Sequence, residues 1–129
     1  MPEVRIANRT RLRAEAFRAD FGARVTVFDW VHAAEMIEGC ATVVNTTALG
    51  MTGKAEFGIS LAAMGRGALA TDIVYTPLKT QFLIEAEERG AQIVDGLGML
   101  LHQAVPGFER WFGHRPEVDE DTRRAVLSA

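Results

Sequence analysis

Short apolar runs alternate with stretches of helical spacing along almost the whole chain, and that alternation does most to constrain the fold. Val4, Ile6 and Ala7 read as a strand ending at residue 8. Thr10 to Phe21 follows with helical spacing through Leu12, Ala16, Phe17 and Phe21, with Thr10 placed to cap it and Gly22 at its C′ position. Val25–Phe28 predicts a second strand, Val31–Ile37 a short helix closed by Gly39, and Ala41–Val44 a third strand. Met51–Ile59 holds Gly53 and Gly58, lacks periodicity and reads as loop. Ala68–Tyr75 predicts a strand stopped before Pro77, Thr80 caps a helix through Arg89 that Gly90 ends, and Gln92–Val94 is a last strand. Leu97–Phe112 is the longest apolar helical segment, which Pro106-Gly107 should kink or split. Glu117–Leu127 is a weaker terminal helix, with an acidic first turn and Arg123-Arg124 toward its end, as the helix dipole prefers. Apolar strands alternating with helices predict an α/β fold, a mostly parallel sheet with helices on both faces and further helices at the C-terminus.

A chain of 129 residues suffices for one domain with a real core, and 48% apolar with 24% charged residues describes a globular protein. A net charge of -3 and a pI near 5.6 argue against nucleic acid or an anionic membrane as the main partner. The single cysteine, Cys40, forms no internal disulfide and fits a reducing cytoplasm. No apolar run has the length needed to span a bilayer, and the N-terminus has no signal-like apolar region. His32, His102 and His114 show no metal spacing with one another or with Cys40, so no metal site is expected. Ser60 and Ser128 sit in no nucleophile elbow, which leaves acyl transfer without support.

In a parallel α/β sheet, ligands bind at the carboxyl ends of the strands. The loops to watch are therefore Asn8–Arg13, Phe28–Trp30, Asn45–Met51, Ile73–Pro77 and Asp95–Met99. Arg9, Arg11 and Arg13 stand at a strand end and in a first helical turn, where the dipole favours acids instead. Cations there suggest an anion between them, with phosphate the usual one; a solvated basic face is the alternative. In dinucleotide-binding folds an acid after the second strand binds the ribose 2′-OH, whereas arginines and a threonine suit a 2′-phosphate, hence NADP over NAD. The Asn45–Met51 loop carries small polar groups that either meet a ligand or bond their own backbone. Tyr75 could offer its hydroxyl to a substrate or bury it against a partner, and Gln103 could reach the cleft from the helix that starts near Gly98.

These loops together resemble the C-terminal, NADP-binding half of the shikimate dehydrogenase family. The matching segments are NRTRLRA (Asn8–Ala14), VVNTTALGM (Val43–Met51), TDIVYTPLKT (Thr71–Thr80) and DGLGMLLHQA (Asp95–Ala104), then Phe108, Trp111 and Gly113. They follow the family's order and span nearly the whole chain. The resemblance implies an incomplete Rossmann-like domain over residues 1–129 and NADP-linked interconversion of 3-dehydroshikimate and shikimate in aromatic amino-acid biosynthesis. It implies that Asn8, Arg9, Thr10 and Arg13 hold the 2′-phosphate end of NADP, and that Thr47 and its backbone line the cofactor. It further places Ile73 beside the nicotinamide, Gly96 with its backbone toward the carboxamide, and Met99 near the ring. Tyr75 and Gln103 match the family's substrate contacts.

The chain departs from the family where Asn45-Thr46-Thr47-Ala48 stands for Asn-Ala-Thr-Ser and where Gln81 replaces a proline. Before Val4 the resemblance leads one to expect a first strand and a glycine-rich turn facing the pyrophosphate, and only Met1-Pro2-Glu3 is present. The family's N-terminal substrate domain, with its catalytic lysine and aspartate, has no counterpart either; Lys54 and Lys79 lie in other motifs. The expectation is a chain that binds shikimate or 3-dehydroshikimate only with that domain and is inactive alone. Open sheet edges flanking the absent strand should be filled by a second copy, by rearranged pairing, or left prone to association. Quinate as substrate, or a non-catalytic remnant serving as a nucleotide-binding or interaction module, are the alternatives.

Overall fold

The computed structural model describes residues 3–129 and follows the alternation closely. In chain order the elements are β1 (Val4–Ala7), α1 (Arg11–Phe21), β2 (Val25–Phe28), α2 (Ala33–Met36), β3 (Thr42–Asn45), β4 (Leu69–Asp72), α3 (Gln81–Glu88), β5 (Gln92–Val94), α4 (Leu97–Phe112) and α5 (Glu120–Leu127). Short 3-10 turns at Gly22–Arg24 and Trp30–His32 precede β2 and α2. Gly22 ends α1 with φ 68°, a conformation that strains any residue with a Cβ, and its N–H bonds the Arg18 carbonyl.

Every strand pair is parallel, so the α/β expectation holds. The described strands nevertheless form two sheets, one of β1 and β2, the other in the order β3-β4-β5. Val4 pairs with Val25 and Ala7 with Phe28 in the first, while Asn45 pairs with Asp72 in the second. Among the described residues, β1 and β3 each have one hydrogen-bonded neighbour, which leaves one edge of each open. Arg5 of β1 reaches the end of α2, donating from Nη1 to the carbonyls of Met36 (3.1 Å) and Glu38 (2.7 Å).

The main core lies on the three-stranded side. Ile37, Leu61, Met64, Ala70, Phe82 and Leu83 pack there, with the Phe57 and Phe82 rings 4.7 Å apart. The β1–β2 side buries little beyond Ala14, Val25 and Ala33, and α1 leaves Leu12, Phe17 and Phe21 exposed. Exposed apolar surface on this scale marks a face that another surface normally covers.

Several boundaries differ from the sequence expectation, each for a local reason. β4 stops at Asp72 rather than Tyr75 because the Asp72 carboxylate accepts the Val74 N–H at 2.9 Å and turns the chain. α4 runs over 16 residues through Pro106, so the proline does not split it. The proline removes one helical hydrogen bond, to the carbonyl of exposed His102, where water can substitute. α5 starts at Glu120, not Glu117, since Asp119 caps it by accepting the Thr122 N–H at 2.8 Å. Thr10 holds the N-cap position of α1, but its hydroxyl caps nothing; Asn8 Oδ1 instead accepts the Thr10 N–H at 2.8 Å. No described helix is long and apolar enough to cross a membrane.

Candidate functional site

The loops that follow β3 and β4 are held together by a buried polar network. Asp72 is 1% exposed. Its Oδ1 accepts from Asn45 Nδ2 (3.0 Å) and from the Val74 N–H, and its Oδ2 accepts from the Thr80 hydroxyl (2.7 Å). Asn45 also donates to the Leu49 carbonyl (3.1 Å), while its Oδ1 accepts the Thr47 N–H (3.0 Å) and the Thr47 hydroxyl (2.8 Å). The Thr47 oxygen in turn accepts the Leu49 N–H at 3.0 Å. Backbone bonds add to this: Ile73 N–H to the Asn45 carbonyl (3.1 Å) and Thr52 N–H to the Thr76 carbonyl (2.9 Å). The small polar groups of Asn45–Met51 thus bond their own loop, and the Thr47 hydroxyl is fully engaged.

Ile73 is half-buried where β4 ends. Tyr75 stands two residues on, beside the cis Thr76–Pro77 bond, 43% exposed and with no hydrogen bond to its hydroxyl among the described residues. It is therefore not the buried, partnered tyrosine that was the alternative. Gly96 is buried against the Ile73–Val74 backbone, so closely that a Cβ there would lie 2.6 Å from the Ile73 carbonyl oxygen. Its carbonyl accepts the Leu100 N–H at 3.2 Å. The β3, β4 and β5 loops accordingly bring Thr47, Ile73, Tyr75 and Gly96 to one end of one sheet. Met99 is exposed in the first turn of α4, and Gln103, one turn further along, faces solvent.

The arginine loop sits at the same, carboxyl end of the other sheet. Here the three arginines divide. Arg11 donates to Asp29 (2.5 Å) and to Glu15 (2.9 Å), bonds that raise its pKa further, Asp29 contributing most. Arg9 and Arg13 are exposed, and their guanidinium groups make no hydrogen bond or ion pair among the described residues. The loop is shaped by Asn8 through its bond to the Thr10 N–H, which leaves the Thr10 hydroxyl free.

Sequence reasoning missed two features. Asp72 lay inside a quoted segment, and its signal was a lone acid in the apolar run ALATDIVY. Asp95 binds Arg123 of α5 through both carboxylate oxygens and also accepts the Leu97 N–H (3.1 Å), so it docks the last helix on the β5–α4 junction. Two cavities among the described residues, about 550 and 410 Å³, lie between α4 and residues 115–123. His102 lines both, and none of the site residues named above lines either. Tyr75, Met99 and Gln103 of the candidate site lie exposed.

Residues 96–127 match the family described as Shikimate 5′-dehydrogenase C-terminal domain. The chain is 63% identical over 128 residues to a shikimate dehydrogenase (NADP(+)) of Paracoccus denitrificans, covering 99% of this chain and 45% of that protein. Among solved structures it resembles a quinate dehydrogenase from Corynebacterium glutamicum in complex with NAD (TM-score 0.84, 27% identity, 98% of this chain and 46% of that one). It also resembles a shikimate 5-dehydrogenase from Thermus thermophilus in complex with NADP(H) and shikimate (TM-score 0.74, 32% identity, 89% of this chain and 42% of that one). The chain spans under half the length of these relatives. Over nearly its full length the chain is similar, in sequence and in its parallel α/β fold, to part of the shikimate dehydrogenases, and residues 96–127 are similar to their C-terminal domain.

Proposed function

We propose that the chain is the NADP-holding part of an oxidoreductase that interconverts 3-dehydroshikimate and shikimate. The observation that carries this reading is the division of the arginines: Arg11 is neutralised by Asp29 and Glu15, while Arg9 and Arg13 keep their guanidinium groups free at the end of β1. Two free forks suit a phosphate dianion, and nothing in the Asn8–Arg13 loop would repel it. The free Thr10 hydroxyl adds a donor, and Asn8 holds the loop's shape. A solved relative in complex with NADP(H) and shikimate supports the same assignment.

On this reading Thr47 and its backbone, Ile73, the Gly96 backbone and Met99 line the nicotinamide half of NADP, which when bound supplies or accepts a hydride. Tyr75 and Gln103, both exposed and without a side-chain hydrogen bond among the described residues, face the substrate. All 129 residues act as one partial NADP-binding unit with added C-terminal helices. The resemblance puts the acid–base pair and most of the substrate pocket in the part of the relatives' length that these 129 residues do not cover, so turnover needs that part as well. Losing general acid–base help alone costs about 100-fold to 10,000-fold in rate. The open edges of β1 and β3 make self-association the default partnership, and a reducing cytoplasm suits the single Cys40.

Calorimetric titration of the chain with NADP+ and NAD+ tests the reading. NADP+ should bind more tightly, and Arg9→Ala or Arg13→Ala should each weaken it by about tenfold or more while leaving NAD+ nearly unchanged. Equal affinity for the two nucleotides overturns the assignment. The likeness to a quinate dehydrogenase favours a second reading, in which quinate replaces shikimate. Turnover of the two acids, measured after complementing the chain with the N-terminal half of a relative, separates them.

A further inference from the structure

Asp72 touches none of the surfaces assigned to a ligand, yet each loop residue on the nicotinamide side leads back to it. Its carboxylate meets the β3 loop through Asn45, its own loop through the Val74 N–H, and the cap of α3 through Thr80. Asn45 passes the constraint on to Thr47 and Leu49. The Val74 bond, together with Ile73 N–H to Asn45, fixes the Ile73–Val74 peptides against which Gly96 is pressed. The backbone of Thr47, Ile73 and Gly96 is thereby set in one arrangement by a side chain that is 1% exposed.

We propose that Asp72 is the positioning residue of the candidate site. It couples the Thr47 loop to the Ile73–Tyr75 loop and sets the spacing that the nicotinamide half of a dinucleotide requires. The inference rests on the NADP reading for its ligand, and on the hydrogen-bond network alone for the coupling. A carboxylate serves here because its oxygens offer four lone-pair positions to three converging donors, whereas a neutral amide offers one oxygen. Removing it leaves the Asn45 amide and the Thr80 hydroxyl buried without that partner.

Two measurements on Asp72→Ala and Asp72→Asn decide the matter. The first is amide hydrogen exchange. Asp72→Ala should speed exchange at Thr47 and Leu49, which lie in the other loop and touch Asn45 or each other but not Asp72. Asp72→Asn keeps the size and an oxygen for Asn45 and Val74, so it should restore most of the protection. Faster exchange confined to Val74 and its own loop overturns the coupling. The second compares NADP+ with adenosine 2′,5′-bisphosphate, which reaches only the arginine loop. Asp72→Ala should weaken NADP+ by about tenfold or more and leave the bisphosphate within about twofold; equal losses for both ligands overturn the positioning role in favour of general destabilisation. Should Asp72→Ala fail to fold, Asp72→Asn carries both comparisons with smaller changes of the same sign. If the unsubstituted chain binds neither ligand, the NADP reading and the ligand role of Asp72 fall together, while the exchange result still decides the coupling.

Discussion

Gly96 offers a test of the site that needs no ligand. Its backbone is ordinary helical, φ -78° and ψ -9°, so any residue could adopt it; the requirement for glycine is spatial. An added Cβ would lie 2.6 Å from the Ile73 oxygen and 2.7 Å from both the Ile73 carbonyl carbon and the Val74 oxygen. These are backbone atoms, and no rotamer change can move them. They are also tethered, Ile73 by its bond to Asn45 and Val74 by its bond to Asp72. The approach is roughly 1 Å inside the ~3.5 Å at which carbon contacts become favourable. Overpacking of this kind costs about 1–3 kcal/mol, and the tethers put Gly96→Ala at the upper end. Gly98, two residues on in α4, is the internal control, because a Cβ there meets nothing within 4 Å. Gly98→Ala should stabilise the chain by up to about 1 kcal/mol through helix propensity. Urea unfolding followed by circular dichroism reads both. With an m-value of about 1–3 kcal/mol/M, Gly96→Ala should lower the midpoint by roughly 1 M or more, and Gly98→Ala should leave it level or raise it. A Gly96→Ala midpoint equal to that of the unsubstituted chain would refute the idea that the β5–α4 junction is closed on the Ile73–Val74 backbone.

Two further outcomes test other parts of the structure. Asp119 accepts the Thr122 N–H and hydroxyl, which hold its carboxyl below the usual aspartate range, so its capping of α5 is fully present above about pH 4 and is lost as pH falls through the lowered value. The Thr122 amide resonance should follow that titration with a midpoint under ~3.9, and a midpoint at or above it would dismiss the cap. The open edges of β1 and β3, with exposed Phe17, Phe21 and Trp111, predict association that grows with concentration in analytical ultracentrifugation; a strictly monomeric species across the concentration range would count against accessible edges.

Much of the architecture was legible in the sequence because its signals are local. Gly22 and Gly90 mark where helices end, and the apolar runs at Val25–Phe28 and Gln92–Val94 became strands at the expected bounds. Boundaries failed where a side chain redirected the backbone, as Asp72 and Asp119 do, since a carboxylate's choice of partner depends on what the fold brings within reach. The loops that carry the proposed site were legible, and three of them meet at one end of one sheet. The individual roles of their residues were not legible, because the Thr47 hydroxyl turned inward to Asn45 and Arg11 was taken by Asp29, a residue distant in sequence.

By itself, then, the sequence determined the α/β class, the order of the strands along the chain and the loops at their carboxyl ends, all of which follow from periodicity and capping. Only the tertiary structure decided that the strands form two sheets instead of one, that two of the three arginines stay free, and that a buried aspartate ties the neighbouring loops together. The physical reason is one of range: helix and strand signals act over a few residues, whereas the pairing of charges and of sheet edges depends on groups that only folding brings together.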